Sequence, residues 1–61
     1  SAASDVYKRQ ELEMREILYE EICSHYKDQS FTAKRKNYYI SVNGNSAKIE
    51  DEETGEKISY S

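Results

Sequence analysis

Hydrophobic residues in the first half of the chain recur at a helical spacing. No Pro or Gly interrupts residues 11–28, and acidic side chains lie opposite the apolar positions. This pattern is typical of a helix with one face on a core and the other in solvent. We therefore predict an amphipathic helix over residues 11 to about 28. The members of its apolar stripe are spaced by four residues: Met14, Leu18, Ile22 and Tyr26.

The second half of the chain changes to an alternation of apolar and polar residues, starting at Asn37. A period of two is typical of strands with one buried face. The dipeptide Asn43-Gly44 is a strong signal for a two-residue type I′ hairpin loop. A loop at this position pairs Tyr38 with Ile49 and places the apolar residues of both strands on one face.

A second turn is predicted at residues 52–55, where Gly55 suits a left-handed backbone conformation. A four-residue loop there pairs Ile49 with Ile58 and Ala47 with Tyr60, so the apolar residues again share a face. The predicted strands cover residues 37–43, 45–51 and 56–60.

These elements predict an α+β fold in which one amphipathic helix packs on a three-stranded antiparallel β-meander. The helical pattern ends at residues 28–30, and the residues from there to Asn37 are predicted to be a polar linker with Phe31 as its only large apolar residue. Ile17 is predicted to lie outside the core or to touch a second copy. The predicted core consists of Leu12, Met14, Leu18, Ile22, Tyr26, Tyr38, Ile40, Val42, Ala47, Ile49, Ile58 and Tyr60. Domains below about 70 residues usually need a staple, a metal or a partner chain. We therefore expect a homo-oligomer, formed through the helix flank or an open sheet edge.

Length and composition restrict the function. The chain has 61 residues and a formal net charge of -3. A chain this short buries only about 60% of its unfolded surface, which excludes a two-domain enzyme or a barrel around a cofactor. No apolar run approaches the roughly 20 residues that span a bilayer, so we expect no membrane partner. Cys23 and His25 are two apart on a helix and do not face each other, so we expect no enzyme. We also expect no cofactor and no metal site.

The first ten residues, Ser-Ala-Ala-Ser-Asp-Val-Tyr-Lys-Arg-Gln, form a separate segment. One back-translation of all ten, in a single frame, resembles the transposase-loaded adapter of sequencing libraries. We therefore expect residues 1–10 to be an adapter-derived, non-native extension and residues 11–61 to be the single domain. Residues 11–61 resemble no protein family that we can name.

The most suggestive local feature is the basic cluster Lys34-Arg35-Lys36, followed by Tyr38 and Tyr39. Cations neutralise phosphates, and Tyr rings offer faces on which bases stack. The sequence therefore predicts a nucleotide site at these five residues. In the alternative interpretation, Tyr38 belongs to the core, Tyr39 is an ordinary cross-strand residue and the cations form a solvated linker.

The acidic balance of the chain argues against binding to long duplex DNA, because most of its surface would repel the phosphate backbone. A tiny acidic protein without a catalytic set resembles, in kind, the small accessory proteins of bacteriophages. We therefore expect a non-enzymatic, oligomeric counter-defence protein in the cytoplasm of an infected bacterial host. It would sequester a small nucleotide immune signal, either a cyclic dinucleotide or an oligonucleotide.

Two alternatives to nucleotide binding stay open. The acidic run at residues 50–53, together with acidic residues of the helix, could imitate nucleic-acid phosphates and inhibit a host defence protein, as an anti-CRISPR does. The run lacks the alternating acidic pattern and internal Gly of a calcium loop. The other alternative is a truncated fragment of a larger domain.

Overall fold

The computed structural model describes residues 2–61, which form one helix and a four-stranded antiparallel sheet. The strands follow one another in space as they do in sequence, so each neighbouring pair is antiparallel and joined by a short turn. The predicted α+β class is confirmed, with one strand more than predicted. The elements are α1 (Ala2–Ser24), β1 (Ser30–Arg35), β2 (Tyr38–Asn43), β3 (Ser46–Asp51) and β4 (Lys57–Tyr60).

The strand that the sequence analysis assigned to a polar linker is β1. It lies at one edge of the sheet and pairs along its whole length with β2. Its inward positions are the half-buried Phe31, Ala33 and Arg35, which alternate with exposed polar residues. A small Ala and a charged Arg on the buried side conceal the period of two that identifies a strand. The turn into β2 is equally hard to recognise, because its positive φ of 55° belongs to Lys36 and not to a Gly.

The hairpin between β2 and β3 is shifted relative to the predicted one. Asn43 pairs with Ser46, so the two loop residues are Gly44 and Asn45 and the predicted loop at Asn43-Gly44 is wrong. Within residues 2–61, Gly44 is the one residue of this turn with positive φ, at 56°. A Gly at the first central position is typical of a type II′ turn. The shift moves the pairing by two residues, so each apolar side chain keeps its predicted face.

The hairpin between β3 and β4 has the predicted register. Ile49 pairs with Ile58 and Ala47 pairs with Tyr60. The amide N–H of Gly55 donates to the carbonyl oxygen of Asp51 at 2.8 Å, which closes the loop over residues 52–55. Gly55 has a φ of 84°, a conformation that costs Gly little.

The core lies between the helix and one face of the sheet, which we call the inner face. Its buried hydrophobic members are Met14, Ile17, Leu18, Tyr38, Ile40 and Ile49. The prediction of the core is wrong at three residues: Leu12 is 62% exposed, Tyr26 is 75% exposed and Tyr60 is 44% exposed. Ile17, predicted to lie outside the core, is only 4% exposed.

The error in the helix has a simple geometric cause. A step of four residues turns an α-helix by about 400°, so a stripe defined by that step drifts by about 40° at each repeat. The face that meets the sheet alternates steps of three and four, through Met14, Ile17 and Leu18 to the half-buried Glu21 and Ile22. The helix also ends at Ser24, four residues before the predicted end, so Tyr26 lies beyond it.

The helix passes without interruption through the boundary at residue 10. Gln10 Nε2 donates to Asp51 Oδ2 at 2.7 Å, so the segment predicted to be adapter-derived contacts the sheet. α1 is not apolar enough to cross a membrane, and residues 2–61 contain no other helix.

Candidate functional site: the outer face of the sheet

The pleat of the sheet divides the predicted nucleotide site between two faces. Lys34 is directly opposite Tyr39, and Arg35 is directly opposite Tyr38. Paired residues of antiparallel strands share a face, and successive residues alternate between faces. Arg35 and Tyr38 therefore lie on the inner face, whereas Lys34 and Tyr39 lie on the other side, which we call the outer face. Lys36 lies in the turn between the strands.

On the inner face, Tyr38 is part of the core. Its ring is 6% exposed, and its hydroxyl donates to Glu13 Oε1 at 2.9 Å. Burial, together with the carboxylate of Glu13, raises the pKa of Tyr38 to about 12. The bonds that Glu13 accepts from Tyr38 and Lys36 hold the pKa of that carboxyl below its ordinary value. Of the two neighbouring tyrosines, only Tyr39 presents its ring to solvent.

The basic residues near the turn are bound by carboxylates of the helix. Arg35 Nη1 lies 2.6 Å from Glu20 Oε1 and 3.5 Å from Glu21 Oε2. The hydrogen bond to Glu20 raises the pKa of Arg35 above its ordinary value. Lys36 Nζ lies 3.2 Å from Glu13 Oε1. A phosphate would have to displace these carboxylates. Arg35 and Lys36 therefore connect the end of β1 and the turn after it to α1.

The start of β1 is tied to the end of the helix by a different contact. The rings of His25 and Phe31 stack with their centroids 4.2 Å apart and an interplanar angle of 14°. His25 Nδ1 also lies 3.0 Å from Asp28 Oδ2. Phe31 therefore helps to hold the edge strand, and with it Lys34, in place.

The outer face carries an aromatic ring among lysines. One cross-strand row contains Lys34, Tyr39, Glu50 and Lys57, in that order across the four strands. The next row contains Thr32, Ser41, Lys48 and Ser59. The alternation of polar with apolar residues in β2, β3 and β4 makes this surface polar, and β1 extends it.

The lysines of the outer face are close to Tyr39. Directly opposite residues have Cβ atoms about 5 Å apart, which applies to Lys34, and diagonal neighbours such as Lys48 lie about 7 Å away. Lys57 lies two strands away, at about 10 Å. Tyr39 is 37% exposed, and no second layer of residues 2–61 covers this face.

The lysines of the outer face make only weak ion pairs with carboxylates of the chain. Lys34 Nζ lies 3.1 Å from Glu52 Oε1, but both side chains are about half or more exposed. Lys48 Nζ is 3.9 Å from Glu50 Oε1, a long contact between exposed groups. Within the part of the chain that the structure describes, Lys57 has no ion pair. Exposed pairs of this kind are worth at most about 1 kcal/mol, so an anion can displace them easily.

The acidic run at residues 50–53 covers the end of β3 and the start of the loop that follows it. Asp51 is buried, and its Oδ1 accepts hydrogen bonds from the amide N–H groups of Glu53 and Thr54 at 2.8 and 3.2 Å. No cluster of at least three potential metal ligands occurs among residues 2–61. Asp51 therefore shapes the loop and is not part of an acidic surface.

Sequence reasoning did not include Lys48 and Lys57 among the candidate ligand residues. They are far from the basic cluster in sequence, and only the register of the sheet brings them beside Tyr39. Their alternation with apolar residues was the available signal, because it placed both on the outer face.

Comparisons of the chain with protein-family models, with curated proteins and with solved structures found no match.

Proposed function

We propose that the protein is a non-enzymatic binder of a short nucleotide ligand, which lies on the outer face of the sheet. The observation that supports this proposal is the placement of one exposed aromatic ring, Tyr39, among Lys34, Lys48 and Lys57. The ring supplies a stacking surface for a base, and the ammonium groups supply counter-charges for the phosphates on either side of it.

The charge distribution favours a ligand with few phosphates. The strand residues of the outer face include three lysines and one glutamate, although the whole chain has a net charge of -3. A local positive surface on an acidic protein can hold one to three phosphates, but a long duplex would extend over the acidic helix and be repelled. The proposed ligand is therefore a trinucleotide-sized oligonucleotide or a cyclic dinucleotide.

Binding without turnover would act by sequestration. In a bacterium infected by a bacteriophage, a small protein of this kind would lower the free concentration of a nucleotide immune signal. This role rests on the kind of protein that the sequence resembles. The ligand site rests on the geometry of the outer face, and the two parts of the proposal can be tested separately.

The alternative of an acidic nucleic-acid mimic receives less support. Glu13, Glu20 and Glu21 of the helix are each paired with a basic side chain, and Asp51 is buried. These contacts remove much of the exposed negative charge that such a mimic would present to a basic groove.

The affinity of the protein for labelled nucleotides tests the proposal. We expect fluorescence anisotropy to show binding of a trinucleotide or a cyclic dinucleotide. Loss of the stacking surface in Tyr39→Ala should weaken it by about tenfold, because base–aromatic stacking is worth roughly 1–3 kcal/mol. Lys48→Gln should also weaken binding and should reduce its dependence on salt.

Tyr26→Ala is the matched control, because it removes an exposed tyrosine from the turn after the helix. Lys36→Gln removes a lysine that is bound to Glu13. Both variants should bind as the wild type does. The proposal fails if neither ligand binds at protein concentrations well above micromolar, or if Lys36→Gln weakens binding more than Lys48→Gln does.

A further inference from the structure

The helix has a second apolar stripe on the side opposite the core. Leu12 and Tyr19 are both more than 60% exposed, and Cys23 is exposed as well. With Glu16 they follow one another in steps of four, three and four residues. This alternation is the spacing by which two helices pack along a common seam. A groove on the helix surface includes all four residues, with Arg15 and Glu20 at its sides.

We infer that α1 pairs in parallel with α1 of a second copy of the chain, through the seam formed by Leu12, Glu16, Tyr19 and Cys23. A second copy is the occupant that the charges beside the seam favour. At 100° per residue, Arg15 lies on one flank of the seam and Glu13 and Glu20 lie on the other. In a parallel pair, each flank meets the opposite flank of the partner helix.

The parallel arrangement joins opposite charges. A residue on the first flank approaches the residue five positions later in the other copy, so Arg15 meets the second copy's Glu20. Glu20 also binds Arg35 of its own chain, but its side chain is 50% exposed and can accept from a second cation. Lys8 meets the second copy's Glu13 by the same rule. Glu16 lies on the seam, so the Glu16 carboxylates of the two copies face each other at the same height, and Arg15 of each copy is the nearest positive charge to this pair. Arg15 also contacts Glu11 of its own helix at 2.8 Å, and its five N–H donors can serve both carboxylates.

An antiparallel pair would join like charges. Its two-fold axis brings each flank against itself, so Glu13 and Glu20 of both copies would crowd together on one side. Arg15 would approach its own equivalent on the other side. The parallel orientation therefore sets attractive contacts on both flanks against one repulsive contact between the two Glu16 side chains, whereas the antiparallel orientation gives repulsion on both flanks.

The mass of the full 61-residue chain in solution tests the pairing. Sedimentation equilibrium at concentrations well above micromolar should give twice the chain mass of 7.1 kDa. Tyr19→Glu should give the monomer mass with an unchanged far-UV circular dichroism spectrum, because Tyr19 is exposed and outside the core. Tyr39→Glu, which changes the outer face of the sheet, should remain a dimer.

Oxidation of Cys23 tests the orientation. In a parallel pair the two Cys23 residues lie at the same height on the seam, so mild oxidation should give a disulfide-linked dimer, and Tyr19→Glu should not cross-link. In an antiparallel pair centred on the groove they would be about 16 Å apart, at 1.5 Å per residue. A disulfide requires Cα atoms within about 7 Å. A monomeric wild type, a dimer that only Tyr39→Glu dissociates, or a dimer that oxidation does not cross-link would each overturn the inference.

Discussion

The contact between Tyr38 and Glu13 shows how one buried polar group fits into a small core. The Tyr38 ring packs among aliphatic side chains, and its hydroxyl reaches Glu13 at the edge of the helix. Lys36 binds the same carboxylate oxygen. The sequence identifies Tyr38 as an inward residue from the alternation alone. It does not show which carboxylate satisfies the hydroxyl, because that depends on how the helix is rotated over the sheet.

This contact predicts a pH dependence of stability with two limits. Because the pKa of Glu13 is lowered, its carboxylate stabilises the folded state fully above the ordinary pKa of 4.5. This stabilisation is lost as the pH falls through the lowered pKa. Because the pKa of Tyr38 is raised, its protonated hydroxyl stabilises the folded state fully below the ordinary pKa of 10. This stabilisation is lost as the pH rises through the raised pKa of about 12.

Urea unfolding of the wild type and Tyr38→Phe checks this prediction. Between these limits, loss of the hydroxyl should lower the free energy of unfolding by about 1 kcal/mol, a small value because Glu13 is half-exposed. The difference between the two proteins should shrink at both acid and alkaline pH. A difference that stays constant from pH 3 to pH 11 would contradict the assignment, and Tyr39→Phe is the control on the exposed face.

At the scale of the elements, the helix and the last hairpin were predictable, and β1 was not. Residues 46–60 carry a clear alternation and a Gly at the position that needs positive φ. Two of the inward residues of β1 are Phe31, whose ring stacks on His25, and Arg35, which binds two carboxylates. These partners lie on the helix and in the turn that follows it, and a pattern within one strand cannot reveal them.

The rotation of the helix makes a second prediction, which a matched pair of substitutions checks. Ile17→Ala should lower the free energy of unfolding by about 2–4 kcal/mol, because it opens a cavity in the core. Leu12→Ala, measured under monomeric conditions, should change it by less than about 0.5 kcal/mol, because Leu12 is 62% exposed. Thermal or urea unfolding gives both values. Equal losses, or a greater loss for Leu12→Ala, would show that the helix packs by a different face.

For the molecule as a whole, two open surfaces remain once the core is formed. The seam on the helix faces away from the sheet, and the outer face lies on the opposite side of the molecule. Pairing of two copies through their helices would therefore give four layers, with a free outer face at each end. Each chain would bind its own ligand on its own outer face, and the ligand would not be enclosed between the two copies.

The candidate site could be predicted only in part. The sequence places Lys34 and Tyr39 in one candidate site. It cannot separate them from Arg35 and Tyr38, which lie on the opposite face of the sheet. That separation depends on β1 being a strand. Lys48 and Lys57 enter the site through pairing between distant segments, so their role depends on the register as well.

Amide chemical shifts show whether the outer face binds a short nucleotide. A two-dimensional ¹⁵N–¹H spectrum of the full chain is recorded as a trinucleotide, or in a second series a cyclic dinucleotide, is added. Binding on the outer face should give saturable shifts centred on four residues, Lys34, Tyr39, Lys48 and Lys57, with the helix amides unchanged. Shifts centred on Arg35 and Lys36, shifts confined to α1, or no shifts with either ligand would contradict it.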